Sequence, residues 1–225
     1  MPFNTIALGL TLPHLAVLAL PSNSPLATVT IATLTKCLPV VFLAQDAFAR
    51  NVSVGAGLLL GSVGDAFLCI DHHGYFAQGL GFFLLGHLSY LRSLHVRSKE
   101  TPFLPALGAG LGAVGAGLLS HVILPKVPKE LKIPVAIYTT TLLTLAWRSA
   151  ARLTHANRIQ RSGSGNPFEA KKEVVKARWG LVGAVLFNVS DLTLAIDTFV
   201  GAVPQARWVI MGTYYAAQLC IAASA

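Results

Sequence analysis

The sequence predicts an all-α fold, a polytopic membrane helix bundle of about eight transmembrane helices in a single domain over residues 1–225. Two observations predict this fold class. Hydrophobic residues make up 54% of the 225 residues and charged residues only 12%, whereas about 25% of the residues in an ordinary soluble domain are charged. Apolar windows also recur along the chain, each close to the roughly 20 residues that a helix needs to cross a bilayer. The bilayer is therefore the expected solvent of this chain.

Eight apolar windows predict the helices in chain order. They are Phe3–Leu20, Leu26–Ala44, Val52–Ile70, Tyr75–Leu94, Phe103–Leu124, Leu131–Trp147, Trp179–Ile196 and Arg207–Ala223. The first window has no basic segment before it and no soluble domain after it, so we interpret it as a spanning helix and not as a cleaved signal peptide. The cysteines are Cys37, Cys69 and Cys220, and an odd number without CxxC spacing predicts packing residues instead of disulfides.

The basic residues lie predominantly on one side of the predicted membrane. Twelve share one face: Arg50, Arg92, Arg97, Lys99, Arg148, Arg152, Arg158, Arg161, Lys171, Lys172, Lys176 and Arg178. The opposite face has four: Lys126, Lys129, Lys132 and Arg207. By the positive-inside rule, this difference places both termini and the loop over residues 150–178 in the cytoplasm. The net charge of +8 belongs to segments that flank the membrane, so nucleic acid is not an expected partner.

The predicted cytoplasmic loop is the longest polar segment of the chain. From residue 155 onward it is polar and contains glycine and serine at its start. We interpret it as a solvated linker near anionic headgroups, with a helical part from Glu169 to Arg178.

The two halves of the chain resemble each other. A shift of 126 positions places Asp65 on Asp191 without a gap. Further identical pairs are Leu60 with Leu186, Val63 with Val189, Leu68 with Leu194, Ile70 with Ile196, Asp71 with Asp197 and Gly86 with Gly212. Because four helices separate the copies, both copies would have the same orientation, which predicts a four-plus-four parallel repeat. The alternative is chance similarity, since apolar sequences align easily.

Two aspartates lie inside apolar windows, where a central aspartate costs roughly 2.5 to 3.5 kcal/mol. Asp65 lies 13 residues beyond Val52 and Asp191 lies 13 residues beyond Arg178, which places both about 20 Å deep. Five further polar residues reach similar depths: Lys36, His87, Tyr138, Tyr214 and Gln218. Seven polar groups in one layer predict a wet cavity. We expect the two carboxyl groups to face one another across it, within about 10 Å.

Each of these residues also has a structural interpretation. A single buried aspartate can accept a hydrogen bond in helix packing, and His87 can be a core histidine with satisfied hydrogen bonds. Tyr138 and Tyr214 can belong to an aromatic belt. The two aspartates together favour a functional interpretation, because two such costs at one depth need a compensating role.

The sequence predicts neither a cofactor nor a metal ion. The stretch GAGLGAVGAG contains GxGxxG, yet no strand precedes it, and close helix packing through Gly108 and Gly112 explains the glycines better. Asp71, His72 and His73 form a short polar turn that could hold a metal ion. Neighbouring histidines do not share a helix face, however, and no HxxxH pair supports them.

A set of residues spread along the chain matches the sequence pattern of a known family. The set is Lys36, Pro39, Gly64, Asp65, Phe76, Gly79, Phe83, His87, Tyr90, Leu186, Phe187, Ser190, Asp191, Tyr214, Ala217 and Gln218. The pattern resembles the lysoplasmalogenases, also called YhhN-like proteins, which are multi-pass membrane enzymes. The resemblance covers nearly the whole chain except residues 155–176. It implies a lysophospholipid substrate among membrane lipids, and hydrolysis of the vinyl ether of lysoplasmalogen to a fatty aldehyde and glycerophosphocholine or glycerophosphoethanolamine.

The two aspartates fit that chemistry. An acid protonates the outer alkene carbon, water attacks the resulting oxocarbenium ion, and a hemiacetal collapses to aldehyde and alcohol. Two neighbouring buried carboxyl groups can coexist as one protonated and one ionised group near neutral pH, so Asp65 and Asp191 are the expected catalytic residues. The expected supporting or substrate-binding residues are Lys36, His87, Asn188, Tyr138, Tyr214 and Gln218.

Lys36 has two possible roles in such a site. It could pair with the ionised aspartate or receive the substrate phosphate. The cost of a lone ammonium group inside the membrane favours the pairing.

Two other functions are compatible with the sequence. A membrane transporter or lipid-binding protein could use the aspartate pair to relay protons. A metal-dependent lipid hydrolase could use the histidines instead. The expected location is the endoplasmic reticulum membrane in a eukaryote and the inner membrane in a bacterium.

The charge distribution makes the orientation testable. A cysteine introduced at Ser162 should react with a membrane-impermeant reagent only from the cytoplasmic side, because basic segments stay on that side. A cysteine introduced at Glu130, on the opposite face, is the control and should react only from the other side. Labelling with the reverse pattern would contradict the predicted orientation.

Overall fold

The computed structural model describes residues 26–71, 74–95, 104–163 and 165–225, so the window Phe3–Leu20 lies outside the described residues. Every regular element in this part of the chain is a helix, as the sequence predicts. The α-helices are α1 (Leu26–Phe48), α2 (Val52–Ile70), α3 (Phe76–His95), α4 (Pro105–Leu118), α5 (Lys132–Ser162), α6 (Pro167–Ala195) and α7 (Ala206–Ala223). Short turns of other helix types are the π-helical turns Leu119–Ile123 and Ile196–Val200 and the 3-10 turn Lys129–Leu131.

The loop predicted over residues 150–178 is helical over most of its length. α5 continues to Ser162 and α6 begins at Pro167. Gly163 ends α5 with a left-handed φ of 66°, which glycine adopts without steric cost. Asn166 begins α6 by accepting a hydrogen bond from a backbone N–H two residues later, at 2.9 Å, a typical N-cap. The predicted helical part from Glu169 to Arg178 is confirmed within α6. The segment from residue 155 to Ser162, predicted as irregular, is helical as well, because charged and alanine-rich segments also favour helix.

Among the described residues, four helical segments are long and apolar enough to cross a membrane. They are Val29–Phe48, Val52–Ile70, Pro105–Ile123 and Pro167–Val200. α3, α5 and α7 fall outside this set, since polar residues such as His87, Tyr138 and Gln218 lower their hydropathy. The structure thus supports an integral membrane protein, while the count of eight transmembrane helices is not confirmed and stays a prediction.

The helices pack as two consecutive triplets. α2 packs against both α1 and α3, and α6 packs against both α5 and α7. The bundle closes through contacts of α3 with α5 and of α1 with α7. A duplicated three-helix unit would produce this arrangement. The four-plus-four repeat is not confirmed and stays a prediction.

Glycines bring the helices within each triplet into backbone contact. A Cβ atom at Gly57 would lie 2.8 Å from the carbonyl oxygen of Gly86, and one at Gly86 would lie 2.9 Å from that of Gly57. In the second triplet, a Cβ atom at Gly183 would lie 3.1 Å from the carbonyl oxygen of Ala217. Small residues at such crossings allow close helix packing in membranes. α2 and α3, and likewise α6 and α7, are thereby held at short distances.

The glycine-rich helix α4 packs less closely than the sequence predicts. A Cβ atom at Gly108 would meet the Trp147 ring at 2.9 Å, as expected for close packing, but a Cβ atom at Gly112 would have no neighbour within 4 Å among the described residues. The Trp147 indole N–H donates to the carbonyl oxygen of Leu104 at 2.9 Å. Only 17% of the α4 span is buried. α4 therefore packs on α5 at Gly108 near its start and at Gly115, where an added Cβ atom would overlap the side chain of Leu143, and leaves most of its surface exposed.

Three basic residues gather where α7 ends. The contacts are Arg50 to the carbonyl oxygen of Ala222 at 3.0 Å, Arg152 to that of Ser224 at 3.3 Å, and Lys176 to that of Ala225. Cations at a helix C-terminus satisfy free carbonyl groups and interact favourably with the helix dipole. Arg50 from the α1–α2 turn, Arg152 from α5 and Lys176 from α6 thus meet at one end of the bundle. The sequence predicts all three on the same side of the membrane.

The Gly57–Gly86 crossing gives a stability prediction. Gly86→Ala should destabilise the protein by about 1 to 3 kcal/mol, because the added methyl group overpacks the α2–α3 contact. Gly81→Ala is the matched control in the same helix, since a Cβ atom there meets no atom of the described part of the chain within 4 Å and alanine favours helix by about 1 kcal/mol over glycine. Thermal unfolding in detergent measures both. Equal shifts for the two variants would contradict the close crossing.

Candidate active site

Asp65 lies at the centre of a buried ion pair. The side chain is 1% exposed, and its Oδ1 lies 2.9 Å from the Nζ of Lys36. The hydroxyl of Tyr214 donates to the other carboxylate oxygen, and the Lys36 ammonium also lies 5.9 Å from the centre of the Tyr214 ring. Lys36 comes from α1, Asp65 from α2 and Tyr214 from α7. The structure therefore assigns Lys36 to pairing with an aspartate, which is the alternative that the sequence favours.

A chain of hydrogen bonds supports this ion pair from behind. Tyr90 donates its hydroxyl proton to the Oε1 of Gln218 at 3.2 Å, and the Nε2 of Gln218 donates to the hydroxyl oxygen of Tyr214 at 2.8 Å. Tyr214 and Gln218 lie four residues apart on α7, so they share one face of that helix. The network orients the Tyr214 hydroxyl towards Asp65.

Asp191 has a different set of partners. The hydroxyl of Tyr138, on α5, donates to its Oδ2. Among the residues that the structure describes, no cationic side chain forms an ion pair with Asp191. Asp65 thus has a cation, Lys36, and a neutral donor, Tyr214, as partners, whereas Asp191 has the neutral donor Tyr138.

The residues beside Asp191 fix α6 against its neighbours. The Nδ2 of Asn188 donates to the carbonyl oxygens of Leu142 at 3.2 Å and Ala184 at 2.9 Å. The hydroxyl of Ser190 donates to the carbonyl oxygen of Ile210 at 3.2 Å. These bonds connect α6 to α5 and α7 at the level of the carboxyl group. The polar side chains around Asp191 therefore hold the helix in register.

His87 is buried between the two aspartate clusters. It is 1% exposed, its Nδ1 lies 2.6 Å from the carbonyl oxygen of Phe83, and its ring packs edge-to-face on Tyr138 at 5.5 Å and on Phe187 at 4.8 Å. Its Nε2 has no hydrogen-bond partner among the described residues. His87 orients Tyr138 by ring packing and does not line the cavity described next.

Both aspartates line one cavity of about 370 Å3. Its polar lining residues are Lys36, Asp65, Tyr138, Thr139, Asn188, Ser190, Asp191 and Tyr214. The remaining lining residues are aliphatic, aromatic or glycine and come mainly from α3, α4, α5 and α6. Apolar side chains surround a compact polar patch in this wall, so polar groups line only part of the cavity, and its hydration stays a prediction. Such a cavity suits a ligand with one polar part and one hydrocarbon part.

The structure brings together most of the residues singled out from the sequence. Gln218 and His87 support the polar patch from behind, and the other six candidates line the cavity. His72 and His73 lie outside the described residues. Asp71 has a local role, since its carboxylate accepts the backbone N–H of Gly74 at 3.0 Å.

Three aromatic residues of the site were not predicted as site residues. Tyr90 bonds to Gln218, Phe187 packs against the rings of His87 and Tyr214, and the hydroxyl of Tyr215 donates to the backbone carbonyl of Lys36 at 3.3 Å. Tyr90 follows His87 by one helical turn, which was the available signal for it. Tyr90 and Phe187 also belong to the set of residues that carries the family resemblance, whereas Tyr215 carries no signal beyond being aromatic in an apolar helix.

Comparison with known proteins identifies relatives over most of the chain. The sequence model of the YhhN family matches residues 31–225. The chain is 31% identical over 228 residues to lysoplasmalogenase TMEM86A of Bos taurus, a match that covers 93% of this chain and 82% of that protein. It is 34% identical over 200 residues to lysoplasmalogenase TMEM86B of Homo sapiens, covering 86% and 75% of the two chains. No solved structure matches the chain significantly.

The buried ion pair gives a stability prediction that is independent of activity. Lys36→Met should destabilise the protein by about 3 to 5 kcal/mol, because it leaves the Asp65 carboxylate without a counter-ion. The double variant Lys36→Met with Asp65→Asn should recover a large part of that loss. Lys172→Met is the matched control, since its 3.8 Å pair with Glu169 is exposed and contributes less than about 1 kcal/mol. Chemical denaturation in detergent measures all three. Equal losses for Lys36→Met and Lys172→Met would contradict a buried pair.

Proposed function

The chain belongs to the YhhN family, and we propose that it is an intramembrane hydrolase that cleaves the vinyl ether bond of lysoplasmalogen. The products are a fatty aldehyde and glycerophosphocholine or glycerophosphoethanolamine. One observation carries the proposal: in a chain with relatives named lysoplasmalogenases, two aspartates from different helices line one largely apolar cavity. Hydrolysis of a vinyl ether requires a proton donor and a base, and a carboxylic acid and a carboxylate can fill these two roles.

The different partners of the two aspartates support distinct roles. A nearby cation favours the ionised form of a carboxyl group, and Lys36 lies 2.9 Å from Asp65. Asp65 is therefore the base in this proposal. Asp191 is partly buried beside the neutral hydroxyl of Tyr138, and removal from water without a counter-ion favours the neutral form, so Asp191 is the acid.

The proposed reaction consumes one water molecule. Asp191 transfers its proton to the outer carbon of the alkene, and the inner carbon becomes an oxocarbenium ion. Asp65 accepts a proton from water as the water oxygen bonds to that carbon and forms a hemiacetal. Asp65 then returns the proton to the glycerol oxygen while Asp191 accepts the hemiacetal hydroxyl proton. The carbon–oxygen bond to glycerol breaks, aldehyde and alcohol leave, and both aspartates regain their starting states.

Electrostatic stabilisation accompanies these proton transfers. The ionised Asp65 stabilises the positive oxocarbenium ion, and a preorganised charge in a site that excludes water acts strongly on a developing charge. Tyr214 and Lys36 hold the Asp65 carboxylate in place, while Gln218 fixes the Tyr214 hydroxyl. Each carboxylate oxygen has two lone pairs, so Asp65 can accept these bonds and still accept a proton from water.

The apolar wall of the cavity accommodates the hydrocarbon part of the substrate. The vinyl ether joins a glycerol oxygen to a long aliphatic chain, so the reacting bond lies where polar and apolar parts of the lipid meet. In the cavity, the polar patch around Asp65 and Asp191 adjoins apolar residues such as Leu142, Val185 and Met211. The boundary between polar and apolar lining therefore corresponds to the boundary within the substrate.

The membrane arrangement is part of the proposal. We propose eight transmembrane helices with a four-plus-four repeat, both termini in the cytoplasm, and a location in the endoplasmic reticulum membrane in a eukaryote or the inner membrane in a bacterium. The two helix triplets and the gathered basic residues at one end of the bundle support this arrangement.

Isosteric substitution of either aspartate tests the catalytic roles. Asp65→Asn and Asp191→Asn should each lower kcat/KM for lysoplasmalogen by about 10² to 10⁴, because asparagine cannot exchange a proton. The double variant should be little worse than either single variant, since an acid and a base that serve one step act as a unit. Aldehyde release by purified protein measures all three.

Control variants separate this chemistry from its alternatives. Asp197→Asn should keep normal turnover, because Asp197 is exposed and its contact is a hydrogen bond from the backbone N–H of Val203 at 2.9 Å, which an amide oxygen can also accept. His72→Ala and His73→Ala should also retain most activity. Normal turnover in an Asp65 or Asp191 variant would refute the assignment, and inactivation by chelators and histidine loss alone would favour a metal-dependent hydrolase.

A further inference from the structure

The outer wall of the cavity is formed by residues that are also exposed on the surface of the bundle. Val114 of α4 is 62% exposed and Val185 of α6 is 48% exposed, and both line the cavity. Leu118, Val189 and Leu192 likewise combine partial exposure with a position in the cavity wall. A side chain that borders the cavity and the outer surface marks the edge of an opening. The exposed lining residues lie on α4 and α6.

Helix packing explains why an opening lies there. α4 packs against α5, and the π-helical turn Leu119–Ile123 that follows it contacts the turn Ile196–Val200 that follows α6. Among the described residues, α6 packs along its length against α5 and against α7. Within this part of the chain, α4 and α6 do not pack against each other in this way. The two helices are thus joined at one end and separated along their length.

The chemistry of the opening points to a hydrocarbon chain as its occupant. The segments Pro105–Ile123 and Pro167–Val200 that border it are both long and apolar enough to span a membrane, so the opening faces lipid tails instead of water. Its edge consists of valine and leucine, which offer no hydrogen bonds to a headgroup. The polar patch lies deeper, at Asp65 and Asp191.

We propose that the gap between α4 and α6 is a lateral portal through which the hydrocarbon chain of the lysolipid substrate passes between the bilayer and the two aspartates. This inference rests on the proposed function for the identity of the lipid. The substrate has a single chain, so one gap between two helices admits it. The residues of the portal edge would then control access of substrate without taking part in the chemistry.

A matched pair of substitutions on α6 tests the portal. Val185 lines the cavity and Val182 does not, yet they are the same residue type, three positions apart, with exposures of 48% and 45%. Val185→Trp should lower kcat/KM for lysoplasmalogen by about tenfold or more, mainly by raising KM, because the indole narrows the opening. Val182→Trp places the same indole against lipid and should leave turnover unchanged.

A binding measurement keeps the portal testable apart from catalysis. An alkyl-ether lysophospholipid lacks the vinyl group and is not hydrolysed, and a photoreactive group near the end of its chain reports where the chain lies. Cross-linking should fall on Val114 to Leu118 and on Val185 to Leu192, and Val185→Trp should reduce it about tenfold while Val182→Trp leaves it intact.

Each outcome bears on one of the two proposals. Cross-links at the portal without any aldehyde release would support the portal and refute the proposed hydrolysis. Cross-links elsewhere, equal effects of the two tryptophan variants, or normal activity and binding in Val185→Trp would refute the portal even if aldehyde is released.

Discussion

The buried ion pair of Lys36 and Asp65 is the interaction on which the site depends. Moving two charges out of water costs several kcal/mol for each ion, and this cost is offset only by good geometry and by further hydrogen bonds to the pair. The 2.9 Å contact supplies the first condition. Tyr214 and Gln218 on α7, with Tyr90 on α3, supply the second. Four helices must therefore meet at one level, and the glycine crossings of α2 with α3 allow the approach.

The two helix triplets place the aspartates in similar positions but give them different partners. In each triplet the aspartate lies on the middle helix, α2 or α6, and its partner comes from the preceding helix. That partner is Lys36 in the first triplet and Tyr138 in the second. The same arrangement of helices therefore gives one carboxyl group a cation as its partner and the other a neutral hydroxyl, so the two groups differ chemically. An acid and a base for the same bond are what the proposed hydrolysis needs.

The polar residues of the site could be predicted from sequence, but the shape of the cavity could not. Asp65 and Asp191 were conspicuous because a carboxyl group in an apolar helix is costly. α2 has its predicted bounds because Asn51 caps its start and the helix is strongly apolar. Tyr215 carried no such signal, since aromatic residues are common in apolar helices and only tertiary packing shows which of them reach the site. The exposure of α4 could not be predicted either, because glycines occur both where helices pack closely and on exposed helix surfaces.

Isotopic labelling during turnover tests the central claim most directly. The claim is that a carboxyl proton is added to the outer alkene carbon and that water attacks the inner carbon. Purified protein acting on lysoplasmalogen in deuterated, heavy-oxygen water should release an aldehyde with deuterium on the carbon next to the carbonyl group. The glycerol product should contain no heavy oxygen, because the bond between the glycerol carbon and its own oxygen is never broken. Heavy oxygen in the glycerol product, or no aldehyde from the folded protein, would contradict the account.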